Sequence, residues 1–156
     1  MLDAMPKKTE IDKRDHALVA FTILSGALDG AIITFPLKHI DLDRWMIEQD
    51  AREVRTKHAK TFTTRFFPVG DDIRRIVNAW TEFLREQKAF GPDDPVFPKT
   101  KVANGDDLQF RAVSIDREPW SNANPVRGIF REACGRAGLP YFSPRSLRKH
   151  ARSDRL

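Results

Sequence analysis

The chain has 156 residues, 40% of them hydrophobic, with a formal net charge of +5 and a pI of 9.6. That length suits one domain with a packed core, and neither an apolar run of about 18 residues nor a basic-then-apolar leader is present, so a cytoplasmic protein without a membrane span is expected. With Cys134 as the sole cysteine and His16, His39, His58 and His150 scattered without ligand spacing, no internal disulfide, metal site or cofactor is expected.

In chain order, DHALVAFTIL (15–24) is apolar on almost every side and predicts a buried helix, with Asp15 placed to cap its first turn. The turn SGALDG (25–30) ends it. The segment 31–42 carries Ile32, Ile33, Phe35, Leu37, Ile40 and Leu42, but Pro36 rules out a regular central strand, which leaves a short helix or an edge segment. From Trp45 to Val69, β-branched and aromatic residues alternate in REVRT and TFTTRFFPV around a basic HAK, the pattern of a β-hairpin with a basic tip.

Asp71 and Asp72 precede Ile73, Ile76, Val77, Trp80, Phe83 and Leu84, whose spacing of three and four predicts an amphipathic helix closed by Gly91-Pro92. Residues 91–123 are rich in Pro, Gly, Asp and Asn and read as a long surface loop with short extended pieces. Asn124 and Pro125 suit the cap and first position of a helix bearing Val126, Ile129, Phe130, Ala133 and Ala137 on one face, ended by Gly138. Cys134 falls beside that face and reads as a core or boundary residue. A last helix is expected from Ser143-Pro144 through RSLRKHAR.

The positive charge is local. Residues 52–65 hold five Lys/Arg against one Glu, and residues 145–156 hold five against one Asp. Two such clusters beside a packed domain suggest a polyanion partner, with solvated basic faces as the plain alternative. The common catalytic sets are missing: SGALDG lacks the G-x-S-x-G pattern, and there is no P-loop, dinucleotide fingerprint or HExxH. Asp29, Asp41 and Asp43 sit where Asp usually caps or forms turns.

The order of elements is more informative: buried helix, SG-containing turn, basic hairpin, amphipathic helix, loop, helix, then PRSLRKH. It resembles the catalytic domain of the tyrosine recombinases, the phage integrase family, from about Arg14 to His150. The residues that carry the likeness are LSGALDGAIITFPLKHIDL, REVRTKHAKTFTTRFFPV and YFSPRSLRKH. The resemblance implies a mainly helical α+β fold with a small antiparallel sheet or β-hairpin, residues 1–13 forming an N-terminal extension and 14–156 a partial catalytic domain. It implies double-stranded DNA as the partner, and chemistry in which a tyrosine attacks a phosphodiester while arginines stabilise the developing charge.

Carried over by position, the family's first-box arginine falls on Leu28, which cannot donate to phosphate. Its hairpin lysine, a general acid, matches Lys60, with Lys57 as the fallback. Its H-x-x-R box matches Arg145 and Arg148, with Arg145 at the histidine position. Lys57, Lys60, Arg65, Arg148 and Lys149 are the expected DNA contacts. The nucleophilic tyrosine of the family follows this box, whereas the only tyrosine here, Tyr141, precedes it and reads as a packing residue.

The resulting expectation is a DNA-binding protein of DNA integration and recombination, truncated and degenerate, unable to cleave DNA alone. The alternatives are a non-enzymatic regulator that pairs with an intact recombinase, and an inactive remnant of a mobile element. Self-association is expected if apolar core surface is left uncovered.

Overall fold

Thr9 and Asp12 begin the central helix. The Thr9 hydroxyl accepts from the Asp12 amide at 3.0 Å and the Asp12 carboxylate accepts from the Thr9 amide at 3.3 Å, a reciprocal capping box. In the computed structural model, which describes residues 2–27, 29–41, 44, 46–49, 62–65, 71–104 and 110–142, helix α1 spans Glu10–Ser25. It therefore starts five residues before the predicted position. Asp15 lies inside it and pairs with Arg14 at 2.9 Å instead of capping.

Helix α1 is buried on most sides, as its composition requires. Leu18, Val19, Ala20, Phe21 and Leu24 are fully buried, and each large apolar side chain contributes about 1.5–3 kcal/mol by leaving water. Phe21 sits edge-on between Phe35 and Phe97, with ring centroids 5.7 and 5.3 Å away. Even the N-terminal residues contribute, because Met5, after a 3₁₀ turn at Leu2–Ala4, belongs to the same core.

After α1 come a one-turn helix α2 (Asp29–Ile32), a 3₁₀ turn at Leu37–His39 and a two-residue strand β1 (Ile40–Asp41). Both readings of 31–42, short helix and edge segment, are thus present in succession. Strands β2 (Met46–Gln49) and β3 (Phe62–Arg65) pair antiparallel, and β1 adds to them in the order β1-β2-β3; β3 falls in the predicted TFTTRFFPV strand, whereas β2 precedes REVRT, which lies outside the described residues. The predicted amphipathic helix is α3 (Asp71–Glu82), continued by a π-helical turn at Phe83–Gln87 in which the Lys88 amide donates to the Phe83 carbonyl. Helix α3 packs along α1.

The expected loop at 91–123 is more ordered than its composition suggests. Strands β4 (Thr100–Asn104) and β5 (Phe110–Ile115) pair antiparallel with a register shift at Lys101/Val102. Ahead of them, Val96 and Phe97 are fully buried, not surface residues. The Val96 amide donates to the Phe35 carbonyl, the Leu37 amide to the Asp94 carbonyl and the Lys38 amide to the Pro92 carbonyl, each at 2.9 Å. Prolines at 36 and 95 face each other in this short bridge because neither need donate.

Helix α4 (Asn124–Arg136) follows, with Pro125 in its first turn and Gly138 in the left-handed region at φ 69°. Its N-cap is Ala123, one residue earlier than predicted. Asn124 accepts from the Arg127 side chain instead of capping the backbone. The expected last helix from Ser143 lies outside the described residues. Among the described residues, no helix is long and apolar enough to cross a membrane.

Candidate nucleic-acid interface

The SGALDG turn is built as a helix terminator. Gly26 takes φ 66°, a left-handed conformation costly for any residue with a Cβ, and its amide donates to the Thr22 carbonyl at 2.8 Å. The Ser25 hydroxyl donates to the Phe21 carbonyl at 2.7 Å and accepts from the Ala27 amide at 3.1 Å. Ala27 and Ala31, on either side of Leu28 in sequence, are buried. The turn thereby fixes where the chain leaves α1; Leu28 itself lies outside the described residues.

From this turn the chain reaches the hairpin through β1. Ile40 pairs with Ile47 and Asp41 with Met46, and Met46 pairs on its other edge with Arg65. The first box and the base of the basic hairpin thus share one sheet. Gln49 pairs with Phe62, so residues 50–61, which hold Lys57 and Lys60, connect the two strands. Lys57 and Lys60 lie outside the described residues, as do Arg145, Arg148 and Lys149. Arg65 is the last residue of β3. Asp41 is a turn former: its carboxylate accepts from the Arg44 amide at 3.0 Å.

The reading of Cys134 on α4 holds, and that of Tyr141, five residues beyond α4, does not. Cys134 is buried, at 1% exposure, and behaves as a small apolar residue. Tyr141 is 46% exposed, not packed; the Arg131 guanidinium covers one face of its ring at 5.4 Å. A tyrosine keeps its polar end in water at little cost, so a cation over its face replaces burial.

Arg14 is a buried charge that charge counting missed. At 3% exposure it donates to the Asp15 carboxylate at 2.9 and 3.0 Å, to the Pro98 carbonyl at 3.2 Å and to the Thr100 hydroxyl at 2.8 Å, and stacks on Trp120 at 4.6 Å. Burial pulls its pKa below the ordinary value and lifts that of Asp15, with the attraction between the two opposing both shifts. The pair clamps α1 to the start of β4 and is spent on structure, not on phosphate. Among the described residues no group of three or more His, Cys, Asp or Glu side chains is placed to hold a metal ion.

A cleft of 540 Å³ between α1 and α3 was also not legible from single segments. Its lining includes Lys13, His16, Arg75, Trp80 and Phe83. Trp80 and Phe83 share a helix face by their spacing, but only the packing of α3 on α1 brings Lys13 and His16 to them.

The architecture is a mainly helical α+β fold with small antiparallel sheets, of the recombinase type. No protein-family model matches the chain, and no curated protein sequence does. Among solved structures, it is similar to the crystal structure of XerA recombinase, with a TM-score of 0.56 and 17% identity over 88% of this chain. The chain covers 41% of that protein's length, so the likeness speaks to the fold of this part.

Proposed function

We propose that this chain binds double-stranded DNA as a tyrosine-recombinase-like catalytic domain, in the setting of DNA integration and recombination, and that these 156 residues do not cleave DNA by themselves. The observation that carries the reading is the recombinase-like fold across 88% of the chain, supported by an antiparallel hairpin where the sequence sets a basic segment. Lys57, Lys60, Arg65, Arg148 and Lys149 are the proposed phosphate contacts. Lys60, Arg145 and Arg148 hold the family-equivalent catalytic positions, and Leu28 replaces the first arginine. Arginine and lysine suit this task because both stay charged at neutral pH and displace counterions from the duplex.

The test is duplex binding followed by fluorescence anisotropy across a salt series. Each of Lys60→Ala and Arg148→Ala is expected to lower the slope of log K against log salt by about 0.9, the contribution of one phosphate contact. Unchanged slopes in both variants, or no binding at low salt, would overturn the reading. A nicked suicide duplex tests cleavage: no covalent adduct is expected, since Tyr141 precedes the Arg145–Arg148 box and Leu28 offers no donor. One missing donor of this kind typically costs about two to three powers of ten in rate. A covalent protein–DNA band would sink the claim that the chain does not cleave.

A further inference from the structure

The described residues that line the cleft between α1 and α3 belong to the N-terminal segment, α1, α3 and the π-helical turn that follows α3. Its floor is apolar, made by Ile76, Ala79, Trp80 and Phe83, and its rim holds Lys7, Lys13 and Arg75 with Asp3 and Asp72. Trp80 and Phe83 stack at 5.5 Å with their planes 27° apart. Trp80 is anchored from behind, its indole N–H donating to the Val96 carbonyl at 2.8 Å, so the platform is rigid. Lys13 Nζ stands 5.4 Å above the Phe83 ring. Among the described residues no ion pair joins Lys7, Lys13 or Arg75 to either rim carboxylate.

We propose that this cleft binds a small planar aromatic monoanion, its ring on the Phe83–Ala79–Ile76 floor and its carboxylate among Lys7, Lys13 and Arg75. The volume of 540 Å³ falls within the usual range for small-molecule sites, about 300–1,000 Å³. The charge selects the class. Three cations face two carboxylates, and His16, whose pKa burial and Lys7 pull below its ordinary value, adds a neutral ring at the edge. Among the described residues the rim is therefore positive by a single charge, which favours a monoanion and disfavours a phosphate polyanion such as DNA. The aromatic floor supplies the larger share of binding, and the cations supply orientation.

The experiment is a titration of the isotope-labelled chain, without DNA, followed through the Trp80 indole and Ala79 amide signals by heteronuclear NMR. The probes are 2-naphthoate, the neutral 2-naphthalenemethanol and adenosine 5′-monophosphate. Naphthoate is expected to shift both signals saturably, and the neutral alcohol to bind at least about fivefold more weakly, near 1 kcal/mol. Lys13→Gln and Arg75→Gln replace exposed side chains, so the rest of the spectrum should be preserved while naphthoate affinity falls about threefold to tenfold.

The proposal fails if neither signal moves up to about 5 mM naphthoate, a ceiling near 3 kcal/mol of binding. It also fails if the alcohol binds as well as the acid, if the nucleotide binds more tightly than naphthoate, or if both glutamine variants bind unchanged. Because no DNA is present, none of these outcomes bears on duplex binding.

Discussion

Replacing Arg14 with Met tests the buried clamp at the heart of the fold. The substitution keeps an unbranched apolar stem against Trp120 but removes four hydrogen bonds and leaves Asp15, whose side chain is 21% exposed, without its cation. Removing one partner of a buried ion pair costs about 3–5 kcal/mol. The partial exposure of Asp15 places this case at the lower end, about 3 kcal/mol, or a fall of about 6–12 °C in melting temperature for a domain of this size.

The loss should depend on pH, and the sign is fixed by Asp15. Burial already lifts its pKa above the ordinary carboxylate value while Arg14 restrains the rise. A carboxyl with a raised folded pKa contributes stability below its unfolded pKa and loses it as pH rises through the folded value. Without Arg14 the folded value climbs further, so the loss extends to higher pH. Urea unfolding of Arg14→Met should therefore show a smaller penalty at about pH 4 than at about pH 7. Adding Asp15→Asn should recover the pH-dependent part. Equal penalties at the two pH values, or no recovery in the double variant, would show that Asp15 does not carry this cost.

Three further outcomes follow from single contacts. Trp80→Phe keeps the aromatic floor but leaves the Val96 carbonyl without the indole N–H, and should cost about 1–3 kcal/mol by chemical denaturation. Ala89 holds φ 55°, a conformation that costs a residue with a Cβ about 1–2 kcal/mol; Ala89→Gly should raise the unfolding midpoint, by about 0.5–1 kcal/mol once glycine's greater unfolded freedom is counted. His16 has its pKa lowered by burial, then by Lys7, so its contribution is present above its unfolded pKa and lost as pH falls through the folded one. Stability should decline below about pH 6.5, and His16→Gln should flatten that limb of the pH–stability curve.

Which parts of this molecule could be read from its sequence follows from where each part gets its stability. Helix α1 announces itself because its residues are apolar all round, and α3 because Ile73, Ile76, Val77, Trp80, Phe83 and Leu84 repeat at three and four. Both patterns are local consequences of burial. The β2–β3 hairpin is legible only in part: β3 falls in the alternating TFTTRFFPV, whereas β2 lies ahead of the alternating REVRT. The β4–β5 hairpin is not, since Val102 is 52% exposed and TKVAN offers no apolar alternation. What holds it lies elsewhere: Glu10 accepts from the Ile115 amide at 3.4 Å, Lys99 and Glu118 exchange backbone and side-chain contacts, and Arg14 grips Thr100.

The same division applies to function. The first box reads as a turn from Ser25 and Gly26, whose helix-ending role is local, and the basic hairpin reads from charge and alternation. Lys57, Lys60, Arg145, Arg148 and Lys149 take their roles from the resemblance and lie outside the described residues, and the salt-slope test decides them at Lys60 and Arg148. The cleft at Lys13 and Phe83, by contrast, has no signal within either helix. A buried arginine and a lysine over an aromatic ring are tertiary choices: in the sequence, KKTEIDKRD shows only a solvated charge run, and nothing within it distinguishes Arg14, which anchors β4, from Lys13, which stays at the rim. Only the packing of α1 against α3 and β4 separates the two neighbours, because adjacent positions on a helix point about 100° apart, one inward to Pro98 and Thr100 and the other across to Phe83.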